Sequence, residues 1–258
     1  MKKTSKYRIA IVGTGNVATH LALAFKNTFV HVSQIFSRDI EKAKKLCEIT
    51  EAQAIDNFSN LSNDLDLIIL AVKDDIINPE FLNAFPKNSF IVHTSGSVDM
   101  SVLSDFTSFG VFYPLQTFSK SKNIDFAKVP ICLEANKETN FEMLKEIALN
   151  ISSDVRKINS EQRKQIHLAA VFACNFTNYL FHISETVLQE KNLDFEILFP
   201  LLQETIEKVR NASPKEMQTG PAIRNDNRVI NKHIEMLEKH PEFQEIYKIL
   251  TKNIKEIK

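Results

Sequence analysis

The sequence predicts an α/β protein: a doubly wound, mostly parallel sheet over residues 1–158, followed by an all-α C-terminal domain over residues 159–258. Three observations support this. Short β-branched runs alternate with helix-patterned segments through the first part, a glycine-punctuated turn follows the first run, and from Ser160 onward the pattern is helical.

The first run, Ile9 to Val12, is continuously apolar and suits a central parallel strand buried on both faces. It feeds the turn Gly13-Thr14-Gly15-Asn16-Val17-Ala18. Gly13 suits the tight bend, Gly15 admits a pyrophosphate to the backbone, and Ala18, in place of a third glycine, still permits close helix–strand packing. The following helix offers its N-terminal amides to that anion. These residues read as the start of a Rossmann-type dinucleotide-binding unit. Val30–Phe36 is the second strand, and Ile40 to Cys47 a Lys/Glu-rich helix. At their junction stand Ser37 and Arg38, where NAD-binding units carry an acidic residue for the ribose hydroxyls. A guanidinium and a hydroxyl suit the 2′-phosphate of NADP, and a carboxylate at position 37 would repel it. The other reading is a surface arginine at a helix start, with Asp39 as the N-cap.

Asp66 to Val72 is a buried strand, so Ala71 and Val72 border any ligand beyond the strand ends. Ser89 to Ser97 repeats the pattern and breaks into Thr94, Ser95 and Gly96. These small groups suit the approach of a nicotinamide or a substrate carboxylate, unless the segment is an ordinary loop capped by Ser97 or Asp99. Phe109 to Ser119 is a short strand entering a polar-aromatic loop, in which Tyr113 and Gln116 are either site-lining or structural. Pro114 holds Tyr113 extended. Lys128–Glu134 and Asp154–Ile158 are strands flanking a helix at Glu138 to Ile151, completing a sheet of about seven or eight strands.

Ser160 is expected to cap an apolar segment running to about Gln189, read as the buried central helix of the second domain. At 100° per residue His167, Cys174 and Asn178 share a face, with Asn175 at its edge. His167 and Asn175 then lie about 12 Å apart along the axis. A polar stripe on an apolar helix either pairs internally or meets a ligand. Phe195 to Asn211 is a further helix. Thr219 to Asp226 interrupts the helical run with a turn at Gly220-Pro221, leaving Arg224, Asn225 and Asp226 to an anionic ligand or an internal ion pair. Amphipathic helices at Asn231 to Leu237 and Pro241 to Ile254 follow, with a solvated Lys/Glu-rich tail.

The 258 residues, 43% hydrophobic and 25% charged, suffice for two medium cores. Lys plus Arg and Asp plus Glu number 32 each, so no overall field favours nucleic acid or an anionic membrane, and neither is expected as a partner. Cys47, Cys132 and Cys174 are scattered without a C-x-x-C. That argues against a disulfide framework or a structural zinc, and for a reducing cytoplasm; no metal is expected. The charged start Met1–Tyr7 leads into an apolar run of a few residues that ends in Gly13, too short for a signal peptide. No segment is expected to approach a membrane span of about 20 apolar residues.

Seven segments together resemble a bacterial family labelled NADP oxidoreductases: Gly13–Ala18, Ser37-Arg38, Leu70–Val72, His93–Ser97, Tyr113–Phe118, His167–Asn175 and Thr219–Arg224. Its members join a Rossmann-like NADP-binding domain to a helical domain like that of 6-phosphogluconate dehydrogenase. The nucleotide-binding half is also similar to pyrroline-5-carboxylate reductase and 3-hydroxyisobutyrate dehydrogenase. The resemblance implies an NADP(H)-dependent oxidoreductase that passes a hydride to or from a small carbonyl, imine or hydroxyl substrate in an interdomain cleft. It also implies a homodimer formed through the helical domain.

One departure bears on mechanism. The β-hydroxyacid dehydrogenases carry Lys-x-x-x-Asn on the first long helix of their second domain, with lysine as acid/base and asparagine as orienter. Here Lys164 is followed four residues later by Leu168. His167 and Asn175 are the nearest polar substitutes and the expected catalytic pair. Gly13, Thr14, Gly15, Asn16, Val17, Ser37, Arg38, Ala71, Val72, Thr94 and Ser95 are expected to hold the cofactor, and Gly96, Gln116, Asn178 and Arg224 the substrate. The rival readings are a non-catalytic nucleotide-binding sensor and a methyltransferase or other nucleotide user built on the same turn.

Overall fold

The computed structural model describes residues 5–119 and 122–257, so the first four residues of the charged start lie outside the described residues. Residues 1–174 and 175–258 form two compact units.

The first unit runs β1 (Tyr7–Val12), α1 (Asn16–Phe25), β2 (Val30–Phe36), α2 (Ile40–Thr50), β3 (Gln53–Ile55), β4 (Leu67–Leu70), α3 (Pro79–Leu82), β5 (Phe90–His93), β6 (Ser108–Pro114), β7 (Ile131–Ala135), α4 (Glu138–Leu149), β8 (Val155–Lys157) and α5 (Ser160–Ala170). Its strands make one eight-stranded sheet in the order β3-β2-β1-β4-β5-β6-β7-β8. All pairs are parallel except β6 with β7. The expected mostly parallel, doubly wound sheet is therefore present. Its edge strand β3 has no counterpart in the sequence reading, since three residues carry no resolvable period.

The central strands are buried on both faces, as their unbroken apolar runs require. On one face Leu21 and Phe25 of α1, Leu46 of α2 and Leu144 of α4 pack against Ile9, Ile11 and Ile69. On the other, Leu82, Phe85, Leu103 and Phe106 cover Ile68, Leu70 and Ile91.

Asn159, not Ser160, caps α5. Its side chain accepts from the Gln162 amide while Gln162 reaches back, a capping box. The Ser160 hydroxyl is committed elsewhere, donating to Glu134 at 2.7 Å and accepting from the Met100 amide at 3.0 Å.

The α5 helix continues through a π-helical segment, Val171–Phe176, into α6 (Thr177–Gln189). The i→i+5 bonding of that segment breaks the uniform 100° step, so the shared face expected for His167, Cys174 and Asn178 does not carry through. The expected burial is also overturned: Leu168, Phe172, Phe176 and Tyr179 are exposed, and α6 buries no residue. Circumferential apolarity raised the expectation, but α5 buries only Ser160 and Arg163. The expectation that no segment approaches a membrane span fails as well. By length and composition Ser160–Gln189 suffices, because no Asp, Glu, Lys or Arg lies between Lys164 and Glu185.

The second unit contains α6, α7 (Phe199–Asn211), α8 (Asn227–Met236) and α9 (Pro241–Lys255). The interruption at Thr219–Asp226 is a series of turns, with Gly220 at φ 110°. Asp226 caps α8 by accepting from the Val229 amide at 3.2 Å.

Candidate active site

Two regions of the sheet unit converge at the carboxyl ends of the parallel strands. The first is a groove of about 730 Å³ that includes Gly13, Gly15, Ser37, Arg38, Val72 and Lys73 in its lining. Gly13 sits at φ 122°, and a Cβ there would lie 2.3 Å from the Ala71 carbonyl oxygen, so only glycine closes this turn against β4. Gly15 differs in kind. A Cβ on it would meet no heavy atom within 4 Å, so its backbone faces open space at the start of α1. No side chain caps that helix, which leaves its first amides available to an anion. Asn16 fixes the turn from outside, donating to the Phe118 carbonyl at 2.8 Å, while Val17 packs on the core.

At the end of β2 the Ser37 hydroxyl lies 3.4 Å from that of Thr14 and accepts from the Asp39 amide at 3.2 Å. Arg38 is exposed and has no ion-pair partner among the described residues. Asp39 occupies the N-cap position of α2, but its carboxylate pairs with Lys42 at 2.9 Å instead of capping. Lys42 thereby offsets the charge of the adjacent Asp39; Asp75 also lines the groove. These features fit a phosphorylated dinucleotide: a glycine cradle a Cβ would fill, free helix amides and an unpartnered guanidinium.

Another cavity, of about 670 Å³, includes Lys26, Thr28, His31, Thr50 and Glu51. The C-termini of α1 and α2 present carbonyl oxygens to it, which disfavours a phosphate there.

The second region lies beyond β5 and β6. Thr94 is buried with its hydroxyl donating to the Leu70 carbonyl at 3.3 Å, and the Ser95 hydroxyl accepts from the amides of Ser97 and Val98. Ser97 donates to Asp74, and Asp99 caps the next turn by accepting from the Ser101 amide at 3.0 Å. Gln116 is exposed, its amide oxygen accepting from the Thr117 amide at 2.8 Å.

At Gly96 three residues meet. A Cβ there would stand 2.6 Å from Nδ1 of His167 and 2.9 Å from Cζ of Tyr113. The Tyr113 hydroxyl lies 3.2 Å from that same Nδ1, with the rings edge to face at 6.2 Å between centroids. Burial pushes the Tyr113 hydroxyl up to about 12. His167 is half-buried.

Beneath them lies a buried polar network. Arg163, with no exposed surface, donates to Glu134 at 2.7 Å and to Ser160 at 3.1 Å, and also to the Val98 carbonyl. His93 is likewise fully buried, accepting at Nδ1 from the Ser95 amide at 3.2 Å. Burial, with the nearby Arg163 charge, pulls its imidazole down to about 4. Sequence reasoning missed Arg163 and the contact of Tyr113 with His167. The only hint was the polar-aromatic character of the Tyr113 segment.

The remaining expected site residues belong to the helical unit: Asn175 and Asn178 at the start of that unit, and Arg224 in the turns before α8, all exposed. Arg224 forms no ion pair with Asp226, whose carboxylate caps α8 instead. Lys164, where the dehydrogenase lysine would be sought, pairs with Asp99 at 2.7 Å.

The open glycine turn at the carboxyl end of a doubly wound sheet, followed by a helical unit, fits the class of Rossmann-type dinucleotide-binding proteins. Residues 7–89 match the oxidoreductase family with an NAD-binding Rossmann fold, and residues 129–254 match a domain of unknown function, DUF2520. A crystal structure described as a "putative NADP oxidoreductase" from Bacteroides fragilis is 37% identical over 98% of this chain and 100% of its own, with a TM-score of 0.91. The chain belongs to the same family of NADP oxidoreductases as that protein.

More distant structures share the fold. A reductive aminase from Aspergillus terreus, in complex with NADPH and ethyl levulinate, is 13% identical with a TM-score of 0.74, over 98% of this chain and 93% of its own. A 1-pyrroline-5-carboxylate reductase from Streptococcus pyogenes is 14% identical with a TM-score of 0.62, over 97% and 98%. Comparison with curated proteins gives no match.

Proposed function

We propose that the chain is an NADP(H)-dependent oxidoreductase acting on a small carbonyl, imine or hydroxyl substrate. The observation that carries this reading is the groove holding the open Gly15 backbone, the uncapped start of α1 and the unpartnered Arg38. The bound nicotinamide supplies or accepts the hydride. Gly13 shapes the turn, its amide being held by the Phe36 carbonyl at 2.8 Å, while Thr14, Gly15, Asn16 and Val17 hold the pyrophosphate through backbone amides, and Ser37 and Arg38 take the 2′-phosphate. Lys42 supports them by neutralising Asp39. Ala71, Val72, Thr94 and Ser95 line the nicotinamide end through their backbone, the two hydroxyls being engaged within the loop.

His167 gives or takes the proton at the substrate oxygen or nitrogen, a task suited to imidazole near neutral pH. Gly96 and Gln116 provide substrate contacts on the sheet unit, and Asn175, Asn178 and Arg224 are the substrate-binding candidates of the helical unit. The likeness to a reductive aminase and a pyrroline-5-carboxylate reductase supports testing imines first. NADPH oxidation across a panel of ketones, aldehydes and cyclic imines tests the activity. His167→Ala should abolish turnover while leaving NADPH affinity intact, and unchanged turnover removes His167 from the role.

A second reading is a nucleotide-binding sensor, favoured by the engagement of Lys164 with Asp99 and by the absence of an asparagine four residues later. Stoichiometric NADPH binding without oxidation of any panel member selects it. For assembly we propose a homodimer through the helical unit, supported by the exposed Phe199, Leu201, Ile206 and Val209 on α7 and tested by light scattering. A reducing cytoplasm suits the three free cysteines, Cys47, Cys132 and Cys174.

A further inference from the structure

We propose that Tyr113 is a positioning residue that fixes the tautomer of His167, so that Nε2–H is the group presented to a substrate. This rests on the reading of His167 as the proton-handling residue and narrows it to donation: Nε2–H hydrogen-bonds the substrate oxygen or nitrogen, and as its proton leaves, the Tyr113 proton moves onto Nδ1 so that the imidazole stays neutral. Four observations support it.

The Tyr113 hydroxyl has His167 Nδ1, at 3.2 Å, as its hydrogen-bond partner among the described residues. That nitrogen is the acceptor within reach of the hydroxyl proton among the described residues, so Tyr113 donates and Nδ1 accepts. Tyr113 is 9% exposed, and burial keeps its phenol protonated through the neutral range.

The Gly96 backbone closes the same side of the ring. The space a Cβ would need there, 2.6 Å from Nδ1, is taken by the imidazole, so no ligand reaches that nitrogen. Nε2 has no hydrogen-bond partner among the described residues, and unlike Nε2 of His93 it is not sealed from solvent. It is therefore the nitrogen open to a ligand.

The last observation concerns the helix. Arg163, four residues earlier on α5, is anchored to Glu134, Ser160 and the Val98 carbonyl. The helix thus presents His167 to Tyr113 in one orientation, and the phenol selects the tautomer within it.

The decisive measurement is the 15N spectrum of the histidine side chains in the full chain under alkaline conditions. The His167 signals are those, among seven histidines, that vanish in His167→Gln. The expected result is an unprotonated Nδ1 and a protonated Nε2 in the native protein, with loss of that preference in Tyr113→Phe. Turnover of the best panel substrate should fall roughly tenfold in Tyr113→Phe, the scale of one hydrogen bond, with KM for NADPH unchanged. A native His167 protonated at Nδ1 overturns the proposal, as does a tautomer unaltered in Tyr113→Phe. The native spectrum decides even if that variant folds poorly. Full turnover in His167→Gln would defeat the catalytic reading while leaving the tautomer result standing.

Discussion

Arg163 and Glu134 form an ion pair at 2.7 Å in which the guanidinium is wholly buried and the carboxylate nearly so. The pair joins α5 to β7 beneath the corner occupied by His167. Removing one member of such a pair leaves an uncompensated charge. Arg163→Met should therefore cost about 3 kcal/mol, a fall in Tm of about 6–12 °C for a chain of this size. The double variant Arg163→Met with Glu134→Leu should lose less than the single, which calorimetry can decide. An equal or greater loss would mean that packing of the arginine stem, not charge, dominates.

His93 should make the fold acid-sensitive. Its folded value near 4 lies below the ordinary 6.5 of an unfolded histidine, so the unfolded chain binds one more proton between these limits. The contribution is fully present above about pH 6.5 and is lost as pH falls toward 4, to a total of about 3 kcal/mol. Urea midpoints from pH 7 to 4.5 should decline more steeply in the native protein than in His93→Gln. Parallel declines would show that carboxylates alone set the acid limit.

The two glycines of the first turn should fail differently. Gly13→Ala places a Cβ against the Ala71 carbonyl at a positive φ, so both stability and nucleotide binding should fall. Gly15→Val has room and an ordinary φ of −73°, so Tm should hold while NADPH affinity drops at least tenfold. Thermal melts with and without NADPH separate the two effects. A Gly15→Val protein that binds normally would move the pyrophosphate away from this turn.

Arg38 should discriminate between cofactors. Arg38→Ala is expected to weaken NADPH by about tenfold or more, the scale of a charge-assisted contact, while leaving NADH unchanged. Lys42→Met frees the Asp39 carboxylate and should shift preference in the same direction. Isothermal titration with both cofactors measures this, and equal losses for NADPH and NADH would rule out a 2′-phosphate role.

Most of the sheet was legible because each buried strand is an unbroken apolar run and the glycine turn has a single steric explanation. Arg38 could be placed from its spacing beyond the glycine turn, and Lys164 with Leu168 from the resemblance to the dehydrogenase motif. Other features depend on partners distant in the chain. Arg163 reads as one more surface charge until Glu134, 29 residues earlier, is brought beside it. Tyr113 and His167, 54 residues apart, have no shared periodicity to announce their contact. The reversal of β7 was equally silent, because strand composition does not encode direction.

That reversal also sets a molecular ruler. It places Glu134 opposite Val111 and Cys132 opposite Tyr113, so two residues along β6 separate the level of the buried ion pair from the level of the phenol, about 7 Å. Four residues of helix separate Arg163 from His167, about 6 Å. Strand and helix keep step over this interval, and the match is one of phase as well as length. A single residue inserted between Lys164 and Ile166 would advance the imidazole by only about 1.5 Å while turning it about 100° off the phenol. The corner thus tolerates changes of side chain far better than changes of count.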